Sequence, residues 1–204
     1  MVDFQVAFPS LEELTLCVLP DLLHLLEESS RSSKVFQNLA TLKISECGKL
    51  ENLAPSSVSF QNLMSLEVSK CDGLINLVTL STAESLVKLT TMHIAECMMI
   101  EEIIQQAREE VRKDCLLFSQ LKYLGLHCLP SLVCFCLGNY ALEFPTLEKV
   151  VVRECPKMEI FSQGVLSTPK LQRLLLTESE DEGRWEGNLN STIQNLFEEM
   201  VWIN

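Results

Sequence analysis

The chain repeats itself, and the repeat leaves few folds open to it. Leu11-Glu-Glu-Leu14-Thr-Leu16 recurs as Leu39-Ala-Thr-Leu42-Lys-Ile44, as Leu63-Met-Ser-Leu66-Glu-Val68 and as Leu89-Thr-Thr-Met92-His-Ile94. It returns as Leu121-Lys-Tyr-Leu124-Gly-Leu126, Leu147-Glu-Lys-Val150-Val-Val152 and Leu171-Gln-Arg-Leu174-Leu-Leu176. Three residues after the first six copies stand Leu19, Cys47, Cys71, Cys97, Leu129 and Cys155; the last copy has Ser179 instead. Leu22, Leu50, Leu74, Ile100, Leu132 and Met158 follow three further on, then Leu25, Leu53, Leu77, Ile103, Phe135 and Phe161. In a chain that is 47% hydrophobic, chance agreement at the five main positions of six copies is on the order of 10⁻¹⁰, so the pattern is a structural repeat.

Each unit reads L-x-x-L-x-L-x-x-C-x-x-L. The L-x-L alternation predicts a short strand with one buried face. The Cys position turns the chain away from the sheet, where a small side chain fits inside the turn and meets unpaired backbone groups. Later apolar residues fill the convex half of the coil, and stacked neighbours bury what no single coil can bury alone. A spacing of 24 to 32 residues between copies is close to the leucine-rich-repeat range. The fold class expected is therefore an α/β-type solenoid. It is a leucine-rich-repeat arc of about seven irregular coils, with a concave parallel sheet and mostly irregular convex returns. One return, Glu101 to Asp114, predicts a short helix, because Ile100, Ile103, Ile104, Ala107 and Val111 recur at helical spacing. The solenoid is expected over residues 1–177. Residues 178–204 are expected to hold a solvated acidic loop, Glu178 to Glu186, and a terminal helix. That helix would bury Leu189, Ile193, Leu196, Phe197 and Met200, with Asn190 or Ser191 as its cap. Almost nothing precedes the first coil, an exposed end that solenoids usually cap, so the chain reads as the C-terminal part of something longer.

Composition narrows the function. Sixteen basic against 28 acidic side chains give a net charge of −12, which opposes nucleic acid and anionic membranes as partners. No apolar run reaches the length needed to span a bilayer, and the amino terminus has no secretory pattern. Nine cysteines in such a chain point to a reducing, cytoplasmic compartment, where thiols pack as small hydrophobes. Cys128, Cys134 and Cys136 with His127 do not match the spacing of a structural zinc site, and packing accounts for them better. His93 with Cys128 is the one speculative thiol–imidazole pair. No phosphate loop or nucleophile elbow is present. No cofactor, metal or enzymatic activity is expected.

Three segments carry a resemblance: LATLKISECGKLENL, FPTLEKVVVRECPKMEIFSQGVLSTPKLQRLLL and GRWEGNLNSTIQNLFEE. They resemble the C-terminal repeats of plant intracellular disease-resistance proteins, the coiled-coil, nucleotide-binding, leucine-rich-repeat immune receptors. The resemblance implies a module that recognises a pathogen effector or a guarded host protein, and that restrains the receptor's own nucleotide-binding domain. The chain has no G-x-x-x-x-G-K-S/T loop, so nucleotide binding carries over to no residue here. The other reading is the substrate-recognition arm of an F-box ubiquitin ligase, or a stand-alone adaptor; the irregular returns fit the steadier repeats of that ligase class poorly.

Strand residues between the core positions line the concave face, the usual binding surface of a solenoid. In the first coils these are small and polar. In the later ones they gather Tyr123, His127, Lys149, Arg153 and Arg173, with Val151 and Leu175 expected to be exposed and His93 alongside. Tyr and Arg are frequent interface anchors, so this group is the candidate protein-binding site.

Overall fold

A computed structural model describes residues 8, 10–26, 35–105, 115–176 and 183–203, with side chains as far as 199. The repeated hexads form seven parallel strands of one sheet. In order across it they are β1 (Glu13–Cys17), β2 (Thr41–Ser45), β3 (Ser65–Ser69), β5 (Thr91–Ala95), β8 (Tyr123–His127), β11 (Lys149–Arg153) and β13 (Leu174–Leu175). Seven strands bound about six full turns of solenoid. An eighth strand, β14 (Gly183–Arg184), closes the sheet by running antiparallel to β13.

Register follows from two recurring backbone devices. At the start of β2, β3, β5, β8 and β11, two successive amides converge on one carbonyl of the preceding coil. Ala40 and Thr41 donate to Glu12 O, Met64 and Ser65 to Ala40 O, and Lys122 and Tyr123 to Thr90 O. At the end of the first six of the seven parallel strands, one residue turns left-handed: Val18, Glu46, Lys70, Glu96, Cys128 and Glu154 all have φ between 51° and 55°. Its amide donates forward, as Glu46 does to Ser69 O and Lys70 to Ala95 O, each at 3.0–3.1 Å. Where a cysteine follows, it donates its thiol to the last carbonyl of its own strand: Cys71 to Ser69 O at 3.2 Å, Cys97 to Ala95 O at 3.3 Å and Cys155 to Arg153 O at 3.4 Å; Leu19 and Leu129 take the place in the other two coils. In the four coils that carry a cysteine, a small, weakly polar side chain suits the turn, because the buried carbonyl keeps a partner without a large group entering the core. Burial pushes the Cys47 thiol up and takes Cys155 to about 12, while the hydrogen bond with the Cys97 thiol lowers Cys71.

Convex returns are more regular than expected. β4 (Asn76–Thr79), β6 (Glu102–Gln105) and β9 (Cys134–Cys136) form one three-stranded parallel sheet, and β7 (Cys115–Leu117), β10 (Ala141–Glu143) and β12 (Leu166–Ser167) form another. A single helical turn and a half, α1 (Leu80–Ser85), follows β4 and is capped by Thr79. The helix expected from Glu101 onward is a strand at its start. Ile103 and Ile104 are both buried in β6, between β4 and β9. Helical spacing of isoleucines fits a strand equally well once both faces are covered, and β-branching favours the strand. Ala107, Val111 and the rest of 106–114 lie outside the described residues.

Between the sheets runs one continuous core. Phenylalanines stack along it, Phe36 on Phe60 at 5.9 Å, Phe118 on Phe144 at 5.0 Å and Phe135 on Phe161 at 4.7 Å between ring centroids. The core is closed at its C-terminal end by α2 (Leu189–Ile203), which buries Leu189 and Ile193 and packs Leu196 against the last coil. Its cap is Asn188, not Asn190 or Ser191: Asn188 Oδ1 accepts from Ser191 N at 2.9 Å. Asn190 instead faces the last convex return. It accepts from the amides of Phe161 and Ser162 and donates to Ser162 O at 2.8 Å. The acidic loop expected over Glu178 to Glu186 is structured in its final part, in β14 and in the bridge of Glu186 to Asn188; its residues 178–182 lie outside the described residues.

Candidate functional site

Because the strands pair without offset, the residues between core positions stand in straight rows. One row runs Glu13, Thr41, Ser65, Thr91, Tyr123, Lys149. The next runs Thr15, Lys43, Glu67, His93, Gly125, Val151, Leu175, and the third Cys17, Ser45, Ser69, Ala95, His127, Arg153. In the early coils these rows carry small residues and short ion pairs, such as Lys43 with Glu67 at 3.2 Å. From β5 to β11 they carry rings and cations.

Gly125 is the centre of that second group. A Cβ there would come within 2.7 Å of His93 Cδ2 and 2.8 Å of the Tyr123 hydroxyl. Its missing side chain is therefore the space into which the two rings lean. His93 meets Tyr123 at 6.5 Å and meets His127 edge-on at 4.9 Å between centroids. Lys149 Nζ lies 5.8 Å from the centre of the Tyr123 ring, a cation–π contact. Arg153 ends the third row, its guanidinium 2.9 Å from Glu154 Oε1. Glu154 also accepts from the Cys128 thiol at 3.1 Å. The thiol and the guanidinium hold the Glu154 carboxyl below its usual range, and the carboxylate in turn raises Cys128. Cys128 is thus kept protonated by an acid, the opposite of an activated nucleophile.

The structure brings together five of the eight residues singled out in the sequence: His93, Tyr123, His127, Lys149 and Arg153. Two of the others correct the expectation. Val151 and Leu175 are buried, 0% and 3% exposed. β14 folds back along β13 and sets Gly183 against Leu175, its Cβ direction 3.2 Å from Leu175 Cδ2. Val151 lies between Gly125 and Leu175 in its row. Arg173 precedes β13, is exposed, and rests its aliphatic stem on Gly183.

The cysteines separate. Cys134 and Cys136 lie in β9 of a convex sheet, where Cys136 meets the Tyr140 hydroxyl at 2.6 Å. Burial pushes Cys134 up to about 12. Among the described residues, no group of three or more His, Cys, Asp or Glu side chains is placed to hold a metal ion, and no helix is long and apolar enough to cross a membrane.

One feature was not visible in the sequence. An open pocket of about 320 Å³ lies where the last coil meets α2, lined by the apolar Val152, Cys155, Met158, Leu176, Ile193 and Leu196 and by the charged Arg153, Glu154, Arg184 and Glu199. Val152, Cys155 and Met158 occupy positions that in inner coils are covered by the next coil. Here a helix covers them, and a helix does not reproduce the shape of a coil.

Among curated proteins and among solved structures, nothing matches the chain significantly. The profile of one repeat family does match, over residues 2–59 and 58–180. Its description is plant disease resistance protein RPS2-like, leucine-rich repeats. The in-register coils, the cysteine turns and this match across most of the length agree: the chain belongs to the RPS2-like leucine-rich repeats of plant disease-resistance proteins.

Proposed function

We propose that this chain is a non-enzymatic recognition and regulatory module of plant innate immunity, acting in the cytoplasm. It senses a pathogen effector or a guarded host protein, and it restrains the nucleotide-binding switch of a disease-resistance receptor. Family membership supports a protein-interaction role in immunity. The observation that carries the finer reading is the cluster of His93, Tyr123, His127, Lys149 and Arg153 on adjacent rows of the concave face. On a chain of net charge −12, three rings and two cations within three strands make a surface unlike the rest of that face. Aromatic and arginine side chains held in place by neighbours lose little entropy on binding, which is why such groups dominate interface energies.

The test is co-expression of this chain with the nucleotide-binding region of an RPS2-like resistance protein in leaf cells. Co-purification of the two, and suppression of cell death, are expected for the native sequence. Lys149→Glu combined with Tyr123→Ala should reduce both by tenfold or more, while Lys43→Glu in the early coils should not. Equal behaviour of all three proteins would count against this face.

A further inference from the structure

Cys71 and Cys97 hold the same turn position in adjacent coils, each two residues beyond the in-register pair of Ser69 and Ala95. Neighbouring strands lie about 4.8 Å apart, within the span of about 4.4 to 6.8 Å that a disulfide needs between its α-carbons. The Cys71 amide donates to Cys97 Sγ at 3.4 Å, so the Cys97 sulfur leans back toward the preceding coil. The two thiols also hydrogen-bond each other, which lowers Cys71 and pushes Cys97 up. One member of the pair is thereby nearer the attacking thiolate, and the other holds its proton. Cys47, one coil earlier, meets Cys71 through its backbone amide rather than through a thiol–thiol bond. On the other side Leu129 stands between Cys97 and Cys155. Both sulfurs are buried, but just inside the surface: Lys70 and Asp72 beside Cys71 are exposed, as are Glu96 and Met98 beside Cys97. Local opening of these turns uncovers the pair without unfolding a coil.

We propose that Cys71 and Cys97 form a redox-active dithiol, which hydrogen peroxide converts to a disulfide joining the coil of β3 to the coil of β5. In the first step the Cys71 thiolate attacks one peroxide oxygen. An S–O bond forms, the O–O bond breaks, and the leaving hydroxide takes up the proton that Cys71 gave away. The Cys97 sulfur then attacks the sulfenic acid on Cys71. The S–S bond forms, the S–O bond breaks, and the departing hydroxide takes the proton of Cys97. The two thiols lose two electrons in all, and one peroxide becomes two waters. The turns tolerate the loss of both thiol protons. Ser69 O and Ala95 O, which accept from the two thiols, keep the amides of Glu46 and Lys70 as partners at 3.1 and 3.0 Å. Under reducing conditions the bond is lost again, the behaviour of a sensor rather than of a permanent cross-link. None of this depends on the concave face.

The full chain, folded and fully reduced, is treated with hydrogen peroxide and the excess is removed with catalase. It is then unfolded in N-ethylmaleimide and digested with trypsin without reductant. Cleavage after Lys70, Lys88 and Arg108 puts the two cysteines on separate peptides, 71–88 and 89–108, and Cys47 on a third, 44–49. Their disulfide is thus read directly as a linked pair by mass spectrometry. The 71–88 and 89–108 pair should form at least tenfold faster than any other link, in protein that stays monomeric on a non-reducing gel, and dithiothreitol should remove it. Cys47→Ser should leave it in place and Cys97→Ser should abolish it; the native chain alone decides the matter if either variant fails to fold. Recovery of Cys71 and Cys97 as free thiols after Cys17 and Cys115 have been oxidised overturns the proposal. So does a link from Cys47 to Cys71 in its place, a link found only in a covalent dimer, or one that forms only in urea.

Discussion

At the scale of single residues, the cysteine of four coils does two things. It fills a buried site that Leu129 fills in the fifth coil, and it gives a buried carbonyl a partner. The surroundings act on these thiols unequally: Cys97 is pushed up by the adjacent Cys71 thiol and by burial, and Cys155 by burial to about 12, whereas the hydrogen bond with Cys97 lowers Cys71. Thiol chemistry should therefore sort by place. Cys17 and Cys115 are exposed, Cys128 is half-buried and the other six are buried. In the native protein at neutral pH, a maleimide should label two thiols quickly, a third slowly and six only after denaturation, as counted by mass spectrometry. The slow one is Cys128. Its pKa is raised chiefly by the hydrogen bond to anionic Glu154, so removing that charge lowers it and increases the reactive thiolate. Glu154→Gln should accelerate labelling of Cys128 and leave the rates of Cys17 and Cys115 unchanged. The turn role of the cysteine was readable from spacing alone, because four coils place it at the same position. The bond between Cys128 and Glu154 was not, because it joins residues of adjacent coils through a left-handed turn that no local pattern announces.

At the scale of elements, the strands of the main sheet were legible and the returns were not. Strand positions such as Leu66 and Val68 answer to a period of two and to identical neighbours on both sides. A return such as Glu101–Asp114 answers to whichever strands flank it, and β4 and β9 draw Ile103 and Ile104 into β6. The terminal helix was legible from its apolar face, but its attachment was not. Asn190 is half-buried and ties α2 to the backbone at Phe161 and Ser162 by three hydrogen bonds, whereas Asn188 only caps. Asn188→Ala should cost about 1 kcal/mol, the usual loss of an N-cap. Asn190→Ala strips the partner from two amides at once and should cost about 2–3 kcal/mol. Urea denaturation followed by circular dichroism separates the two, and the larger loss should belong to Asn190.

At the scale of the whole molecule, coils lean on neighbours, so stability is greatest where both neighbours are present. Leu14 and Leu16 of β1 are half-buried, while their counterparts Leu66 and Val68 in β3 are fully buried. Hydrogen exchange read by mass spectrometry should show peptides over β1 exchanging fastest among the main-sheet strands, and β3, β5 and β8 slowest. The reverse order would mean that the coils do not stabilise one another in sequence. The same neighbour dependence explains the burial of Val151 and Leu175: whether a strand face is exposed or covered depends on the next strand to pack beside it, which is β13 for Val151 and β14 for Leu175. It also bears on how such a molecule changes over time. With zero stagger from β1 to β11 and spacing differences absorbed on the convex side, the interior vocabulary of leucine, isoleucine, valine and cysteine stays constant. The three rows facing inward form a grid whose squares can be rewritten one at a time. A substitution at Thr41 or Lys149 alters what the grid displays without altering how the coil closes. Under the proposed function, recognition can then drift quickly on a scaffold that hardly moves.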